Sequence, residues 1–151
     1  MRLPLHVTTE DPRAPDFTRL LEEHLAFARG STAAENAHAL DLEALVAPAV
    51  SCYAARMDGE LMAVGALQDL GGGHLEVKSM HTARGARRRG IGLELLEHLV
   101  NEARARGGTR LSLETGAMEA FAPARAMYHG AGFSVCEPFG GYPPSPNTVF
   151  M

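Results

Sequence analysis

The apolar residues of the chain change their spacing several times, and the change at Gly90 is the one that most limits the folds that the chain can form. Before it, three apolar runs follow one another, at residues 50–56, 60–68 and 74–82. Asp58-Gly59 separates the first two runs and Gly71-Gly72-Gly73 the last two, and such residues between apolar runs are typical of hairpin turns. The sequence therefore predicts an antiparallel meander of three strands.

Helical spacing begins after Gly90 and continues to Gly107. The apolar stripe includes Ile91, Leu95 and Leu99, which predicts an amphipathic helix. We next expect a strand at 110–114, a helix at 122–130, a strand at 133–139 and a last short strand at 148–151. Alternating strands and helices indicate parallel crossover units. The fold class is therefore α+β (α/β mixed), in one domain spanning residues 1–151.

Two further helices are expected before the meander. Residues 16–28 have amphipathic spacing after Pro15, and residues 38–45 predict a short helix that ends before Pro48. The loop at 140–146 contains three prolines, which excludes it from the centre of a sheet.

Charge and residue counts exclude several classes of function. The formal net charge is −4, so the molecule as a whole repels duplex DNA and we expect no nucleic-acid partner. Neither the two cysteines nor the seven histidines have metal-ligand spacing, so we expect no metal and no disulfide. No apolar run suits a signal peptide or a membrane span, which predicts a cytoplasmic protein with no membrane partner.

Residues 84–92 carry the strongest chemical signal. Four of the nine are arginine and three are glycine, between a predicted strand and a predicted helix. Glycines let a ligand approach the backbone, and a helix N-terminus offers unpaired N–H groups with partial positive charge. Cations are unfavourable there unless an anion joins them, so a phosphate site is favoured over a solvated turn. The segment lacks the lysine of a Walker A loop and the third glycine of a dinucleotide-binding turn.

Two motifs point to one family. Arg87-x-x-Gly90-x-Gly92 resembles the pyrophosphate loop of the GNAT superfamily of acyl-CoA-dependent N-acetyltransferases. Tyr128 followed by Gly132-Phe133 resembles the second hallmark of that family, a helix tyrosine followed by Gly-Phe that leads into the next strand. The resemblance covers residues 50–137 best. The chain as a whole is similar to small bacterial members of the family whose substrate is unassigned. It implies a GNAT-like central mixed, mostly antiparallel sheet flanked by helices, with a splayed strand before the pyrophosphate loop. It also implies acetyl-CoA as the co-substrate.

The resemblance further implies roles for individual residues. Main-chain groups of Met80, His81 and Thr82 would hold the pantetheine arm and the thioester. Tyr128 would lie beside the cofactor sulfur and protonate the leaving thiolate. Phe121 stands where many members have an asparagine, which is a departure from the family pattern. The expected pyrophosphate-binding residues are Arg87, Arg88, Arg89, Gly90, Ile91 and Gly92.

Glu76 is the expected general base. The histone-acetyltransferase branch of the family has a glutamate at this offset, and burial in a partly apolar cleft would raise the pKa of such a residue. Period-two alternation places four residues on one side of the strand, namely Glu76, Lys78, Met80 and Thr82. Because Lys78 is so close, a solvated Glu76–Lys78 ion pair is the alternative, with His38 or bulk water as the base.

The acceptor pocket is expected at residues 31–45 and at the 140–146 loop, with His38, Asp41 and Tyr142 as substrate-binding residues. An acidic rim and an aromatic face favour a substrate that arrives as an ammonium ion. We therefore expect acetylation of a small-molecule amine, such as an amino acid or polyamine, by direct attack in a ternary complex. A non-catalytic acyl-CoA-binding module and an acetyltransferase acting on a peptide or protein amine are the alternatives. The sequence leaves the length of the acyl group and a homodimer open.

Overall fold

A single mixed sheet is the centre of the fold. The computed structural model describes residues 4–29 and 42–151, and within them six strands lie in the order β1-β2-β3-β4-β5-β6. The strands are β1 (Leu5–Thr9), β2 (Val50–Met57), β3 (Glu60–Gly71), β4 (His74–Thr82), β5 (Arg110–Gly116) and β6 (Thr148–Phe150). The helices are α1 (Pro15–Arg29), α2 (Ile91–Ala105) and α3 (Ala122–Gly130), and residues 42–45 add one helical turn.

The predicted meander is confirmed. β2, β3 and β4 are antiparallel neighbours, with tight turns at Asp58-Gly59 and Gly72-Gly73. β1 extends the meander by pairing antiparallel with β2. The sequence does not predict this strand, because its five residues offer only Leu5 and Val7 as an alternating apolar signal.

The crossover from β4 through α2 to β5 is also confirmed, since β4 and β5 lie parallel. The predicted strand at 133–139 is wrong. The Cys136 N–H donates to the Phe150 carbonyl at 2.8 Å, but Pro138 has no N–H with which to continue a ladder, so the segment contacts β6 without forming a strand. Of the short helix predicted at 38–45, residues 42–45 are helical and 38–41 lie outside the described residues.

Helices cover both faces of the sheet. On one face, α2 and α3 form a buried cluster with alternate strand residues, including Ala63 of β3. On the other face, α1 forms a second cluster that includes Val64. A sheet flanked by helices is therefore confirmed. In the part of the chain that the structure describes, no helix is both long and apolar enough to span a membrane.

Candidate active site

β4 and β5 separate before either strand ends. Their parallel pairing stops where Val77 lies opposite Leu113, whereas β4 continues to Thr82 and β5 to Gly116. The last part of β4 stays paired with β3 on its other edge. Backbone groups on the β5 side of this stretch therefore face a gap between the two strands. The expected splayed strand is confirmed, and the three residues expected to use their main chain lie on it: Met80, His81 and Thr82.

A β-bulge interrupts the splayed part of β4. Val64 of β3 pairs with His81 and Ala66 pairs with Lys78, so one residue of β3 lies opposite two of β4. Ser79, inside the bulge, has φ +56°. An inserted residue shifts the side-chain alternation of a strand by one position.

The bulge makes one sequence prediction wrong. The even-numbered residues expected on one side of β4 do not share a face. Met80 packs in the cluster formed by α2 and α3, and Thr82 lies beside Gly92 at the start of α2. Glu76 and Lys78 lie on the opposite face, which is the face that α1 covers.

The arginine-rich loop begins with a 3₁₀ turn, Arg84–Ala86, and ends at the start of α2. Gly90 precedes the helix with φ +75°, a left-handed conformation that strains residues with a Cβ. The first helical hydrogen bond runs from the Glu94 N–H to the Gly90 carbonyl at 3.0 Å. The N–H groups of Ile91 and Gly92 therefore have no partner within the helix and are oriented to bind an anion.

The loop is fastened to the end of β4. Its four arginines are exposed, and Arg87 Nε donates to the Thr82 carbonyl oxygen at 3.3 Å. A Cβ at Gly92 would lie 3.1 Å from Thr82 Oγ1 and 3.5 Å from Met127 Sδ of α3. The positive loop, the N-terminus of α2 and the free edge of β4 therefore meet near Thr82, with α3 beside them.

Tyr128 is a buried tyrosine of α3. The residue is 7% exposed, and its ring packs edge-on against Phe133 with the ring centroids 5.9 Å apart. Burial raises the pKa of the phenol to about 12, so it is protonated at neutral pH. Within residues 4–29 and 42–151 the hydroxyl has no hydrogen-bond partner. Such a group is uncommon in a protein interior and is a candidate for contact with a ligand.

The Phe121 ring packs against the end of β5 at Gly116. A Cβ at Gly116 would collide with its ring. Arg125 fastens the same region, because its Nη1 donates to the carbonyl oxygens of Gly116 at 2.6 Å and Met118 at 2.9 Å. The residue at the family's asparagine position is therefore part of the packing between α3 and β5.

Glu76 is a buried carboxylate. It is 2% exposed, and the Tyr142 hydroxyl donates to its Oε2 at 2.9 Å. Lys78 Nζ lies 3.9 Å from Glu76 Oε1. Burial raises the pKa of Glu76 above its ordinary value, and Lys78 and Tyr142 oppose that shift. The ion pair considered from the sequence is present, but it is not on a solvated face.

A histidine pair on the same face has no signal in the sequence. Nδ1 of His24, on α1, lies 3.3 Å from Nδ1 of His81, on β4. Burial and then the charge of Arg87 lower the pKa of His81 to about 4, so its ring is neutral at pH 7. Two expected acceptor residues, His38 and Asp41, lie outside the described residues. Among the residues that are described, no three His, Cys, Asp or Glu side chains are grouped as metal ligands.

Residues 15–133 match the acetyltransferase (GNAT) family. The chain belongs to this family. It is 41% identical to the uncharacterized N-acetyltransferase YsnE of Bacillus subtilis (strain 168), over 97% of each chain. It is also 38% identical to a protein of Azospirillum brasilense named IAA acetyltransferase, over 96% of this chain and 94% of that one. The chain is therefore an N-acetyltransferase.

Solved structures have the same fold at lower sequence identity. A Bacillus subtilis acetyltransferase in complex with CoA has a TM-score of 0.73 at 16% identity, over 97% of this chain and 96% of that one. The ribosomal-protein-S18-alanine N-acetyltransferase of Escherichia coli has a TM-score of 0.72 at 19% identity, over 98% and 92%. These similarities support the GNAT fold of this N-acetyltransferase.

Proposed function

We propose that this N-acetyltransferase transfers an acetyl group from acetyl-CoA to the amine of a small molecule, by direct attack within a ternary complex. The observation that carries the proposal is the gap between β4 and β5, which opens after Val77 and leads towards the loop at Arg84. The amides of an extended cofactor arm can pair with a free strand edge. A pyrophosphate fits the helix N-terminus near the end of that edge.

The residues present fit this cofactor. Backbone groups of Met80, His81 and Thr82 would pair with the pantetheine arm, while the His81 side chain is turned away towards α1. When bound, acetyl-CoA supplies the acetyl group as an activated thioester. The pyrophosphate would lie on the N–H groups at the start of α2, with guanidinium groups around it. The residues proposed for the pyrophosphate are Arg87, Arg88, Arg89, Gly90, Ile91 and Gly92.

Tyr128 is proposed as the acid. Its phenol is protonated at neutral pH and has no partner among the described residues, so it is able to donate to a thiolate in the gap. The amine forms the new C–N bond as the C–S bond breaks, and the thiolate takes the Tyr128 proton, which solvent then replaces.

Glu76 is proposed as the base. Burial raises the pKa of the Glu76 carboxyl, and this makes it a better proton acceptor at neutral pH than an ordinary glutamate. It would take the proton that the amine must lose, directly or through one water molecule. A neutral His81 on the same face is an alternative base, and its low pKa makes it a weak one.

The acceptor is proposed to be a small amine that enters beside the 140–146 loop. Tyr142 is half-buried over Glu76, and His38 and Asp41 belong to the segment proposed to complete the pocket. The name IAA acetyltransferase of the Azospirillum relative gives one compound to include among the candidates. A turnover screen with acetyl-CoA over amino acids, polyamines, aminoglycosides, that compound and peptide N-termini tests the proposal. Preference for peptides would contradict the small-molecule assignment, and CoA binding with no turnover would indicate a binding module.

The cofactor site has its own test. Arg87→Ala should weaken CoA binding by about 10- to 100-fold, the range for a lost charge-assisted hydrogen bond, and should make binding less dependent on salt. Arg13→Ala is the matched control, because Arg13 is an exposed arginine paired with Asp11, outside the loop. Isothermal titration calorimetry measures both variants. Equal affinities of the Arg87 variant and the wild-type protein would refute the phosphate assignment.

A further inference from the structure

Among the side chains that the structure describes, Tyr142 makes the closest contacts to the buried Glu76 carboxylate. Its hydroxyl lies 2.9 Å from Oε2 and 3.2 Å from Oε1. Because a phenol has one proton, it donates to one oxygen at a time and lies within reach of both. Lys78 Nζ donates to the same hydroxyl at 3.3 Å and to Gln68 Oε1 at 3.0 Å. The phenol therefore lies between an ammonium group and a carboxylate.

Two glycines bring Tyr142 to this position. Gly140 and Gly141 have φ values of +59° and +80°, which only glycine adopts without strain. The turn is closed by the Tyr142 N–H, which donates to the Phe139 carbonyl at 3.0 Å. The Tyr142 ring then packs edge-on against Phe139, with centroids 5.6 Å apart. Since aromatic packing holds the ring, loss of the hydroxyl alone should leave the loop in place.

We propose that Tyr142 is a positioning residue of the reaction: with Lys78 it holds the Glu76 carboxylate in a fixed orientation, and so it makes the 140–146 loop part of the acid–base machinery. This inference rests on the proposed role of Glu76 as base. It differs from the substrate-binding role expected for Tyr142 from the sequence, because here Tyr142 acts through Glu76 and not on the substrate.

The charges around Glu76 give this arrangement a measurable consequence. Burial and the Glu114 carboxylate raise the pKa of Glu76, whereas the Lys78 ammonium and the Tyr142 hydrogen bond lower it. These are the groups that act on Glu76 among the described residues, from β4, from β5 and from the loop. Loss of the Tyr142 hydroxyl removes a donor to the charged form, so the pKa of Glu76 must rise.

The test is a direct titration of the Glu76 carboxyl by carbon-13 NMR in the full chain, assigned by loss of the signal in Glu76→Gln. Tyr142→Phe should move the titration midpoint to higher pH, and so should Lys78→Met. Tyr53→Phe is the matched control, because that buried hydroxyl bonds to Arg106 and belongs to the opposite face of the sheet. An unchanged midpoint in Tyr142→Phe would overturn the proposal.

The pH dependence of kcat/KM separates this proposal from the proposed function. Tyr142→Phe should shift the acidic limb of the kcat/KM profile to higher pH. On that limb kcat/KM should fall by a factor on the order of ten, and it should change little at pH values where Glu76 is ionised in both proteins. If the NMR midpoint moves while the acidic limb stays where it is in the wild-type protein, Tyr142 positions Glu76 but Glu76 is not the base. In that case the positioning contact stands and the proposed base role fails.

Discussion

Removal of the Tyr128 hydroxyl should have opposite effects on activity and on stability. The hydroxyl is buried and has no hydrogen-bond partner within residues 4–29 and 42–151. Its retention therefore costs desolvation that no group of those residues offsets. Tyr128→Phe keeps the ring and its edge-on contact with Phe133, so the two effects can be measured without a cavity.

The magnitudes follow from that environment. A buried polar group without a partner costs about 1–3 kcal/mol, so Tyr128→Phe should leave the free energy of unfolding unchanged or raise it by up to that amount. For a domain of this size, about 1 kcal/mol corresponds to a Tm change of roughly 2–4 °C. Loss of a general acid should lower kcat by about 10²–10⁴-fold, with a smaller change in KM for acetyl-CoA.

Tyr53→Phe provides the matched control for stability. Tyr53 is 1% exposed, and its hydroxyl accepts a hydrogen bond from Arg106 Nη2 at 2.6 Å. Its loss should lower the free energy of unfolding by about 1 kcal/mol or more and leave kcat unchanged. Both variants are measured by thermal unfolding without CoA and by steady-state kinetics. A fall in Tm for Tyr128→Phe, or an unchanged kcat, would refute the reasoning.

Two further predictions concern stability. His81 has a pKa of about 4 in the fold against 6.5 in the unfolded chain, so its contribution is complete above pH 6.5 and is lost as the pH falls towards 4. Free energies of unfolding from urea titrations should fall over this range, with a His81 share of roughly 3 kcal/mol that His81→Gln removes. Gly116→Ala should lower the free energy of unfolding by about 1–3 kcal/mol, because the new Cβ displaces the Phe121 ring. Gly130→Ala is the control: its Cβ would have no atom within 4 Å, so it should lower the free energy of unfolding by less than about 1 kcal/mol, and thermal unfolding measures both variants.

Local signals account for the elements that the sequence predicts correctly. Asp58-Gly59 suits a tight hairpin turn, and the apolar period after Gly90 needs only the residues of α2 itself. The loop at 84–92 could be assigned to phosphate because its glycines, arginines and helix start are contiguous. These features depend on neighbours in sequence, so the fold class could be predicted, and the phosphate role of the loop stays a prediction.

The contacts of the candidate site could not be predicted in the same way, because they join distant segments. Glu76 and Tyr142 are 66 residues apart, and His24 and His81 are 57 apart. The first pair requires the turn at Gly140, and the second requires α1 to pack on β4. The strand predicted at 133–139 fails for a different reason, because Pro138 within the segment and a partner strand of only three residues outweigh its apolar alternation.

The bulge at Ser79 explains how one strand can contribute to two different tasks. Before the bulge, Glu76 and Lys78 lie on the face of α1, where Tyr142 reaches them. After it, Met80 turns towards α2, and it has room there because Gly65 lies opposite the bulge: a Cβ on Gly65 would be 2.8 Å from Met80 Sδ. Without the inserted residue, Met80 would share the face of Glu76 and crowd the proposed acceptor side with a thioether. The bulge and Gly65 together therefore keep the proposed base and the packing of α2 on separate faces, with the free edge proposed for the cofactor between them.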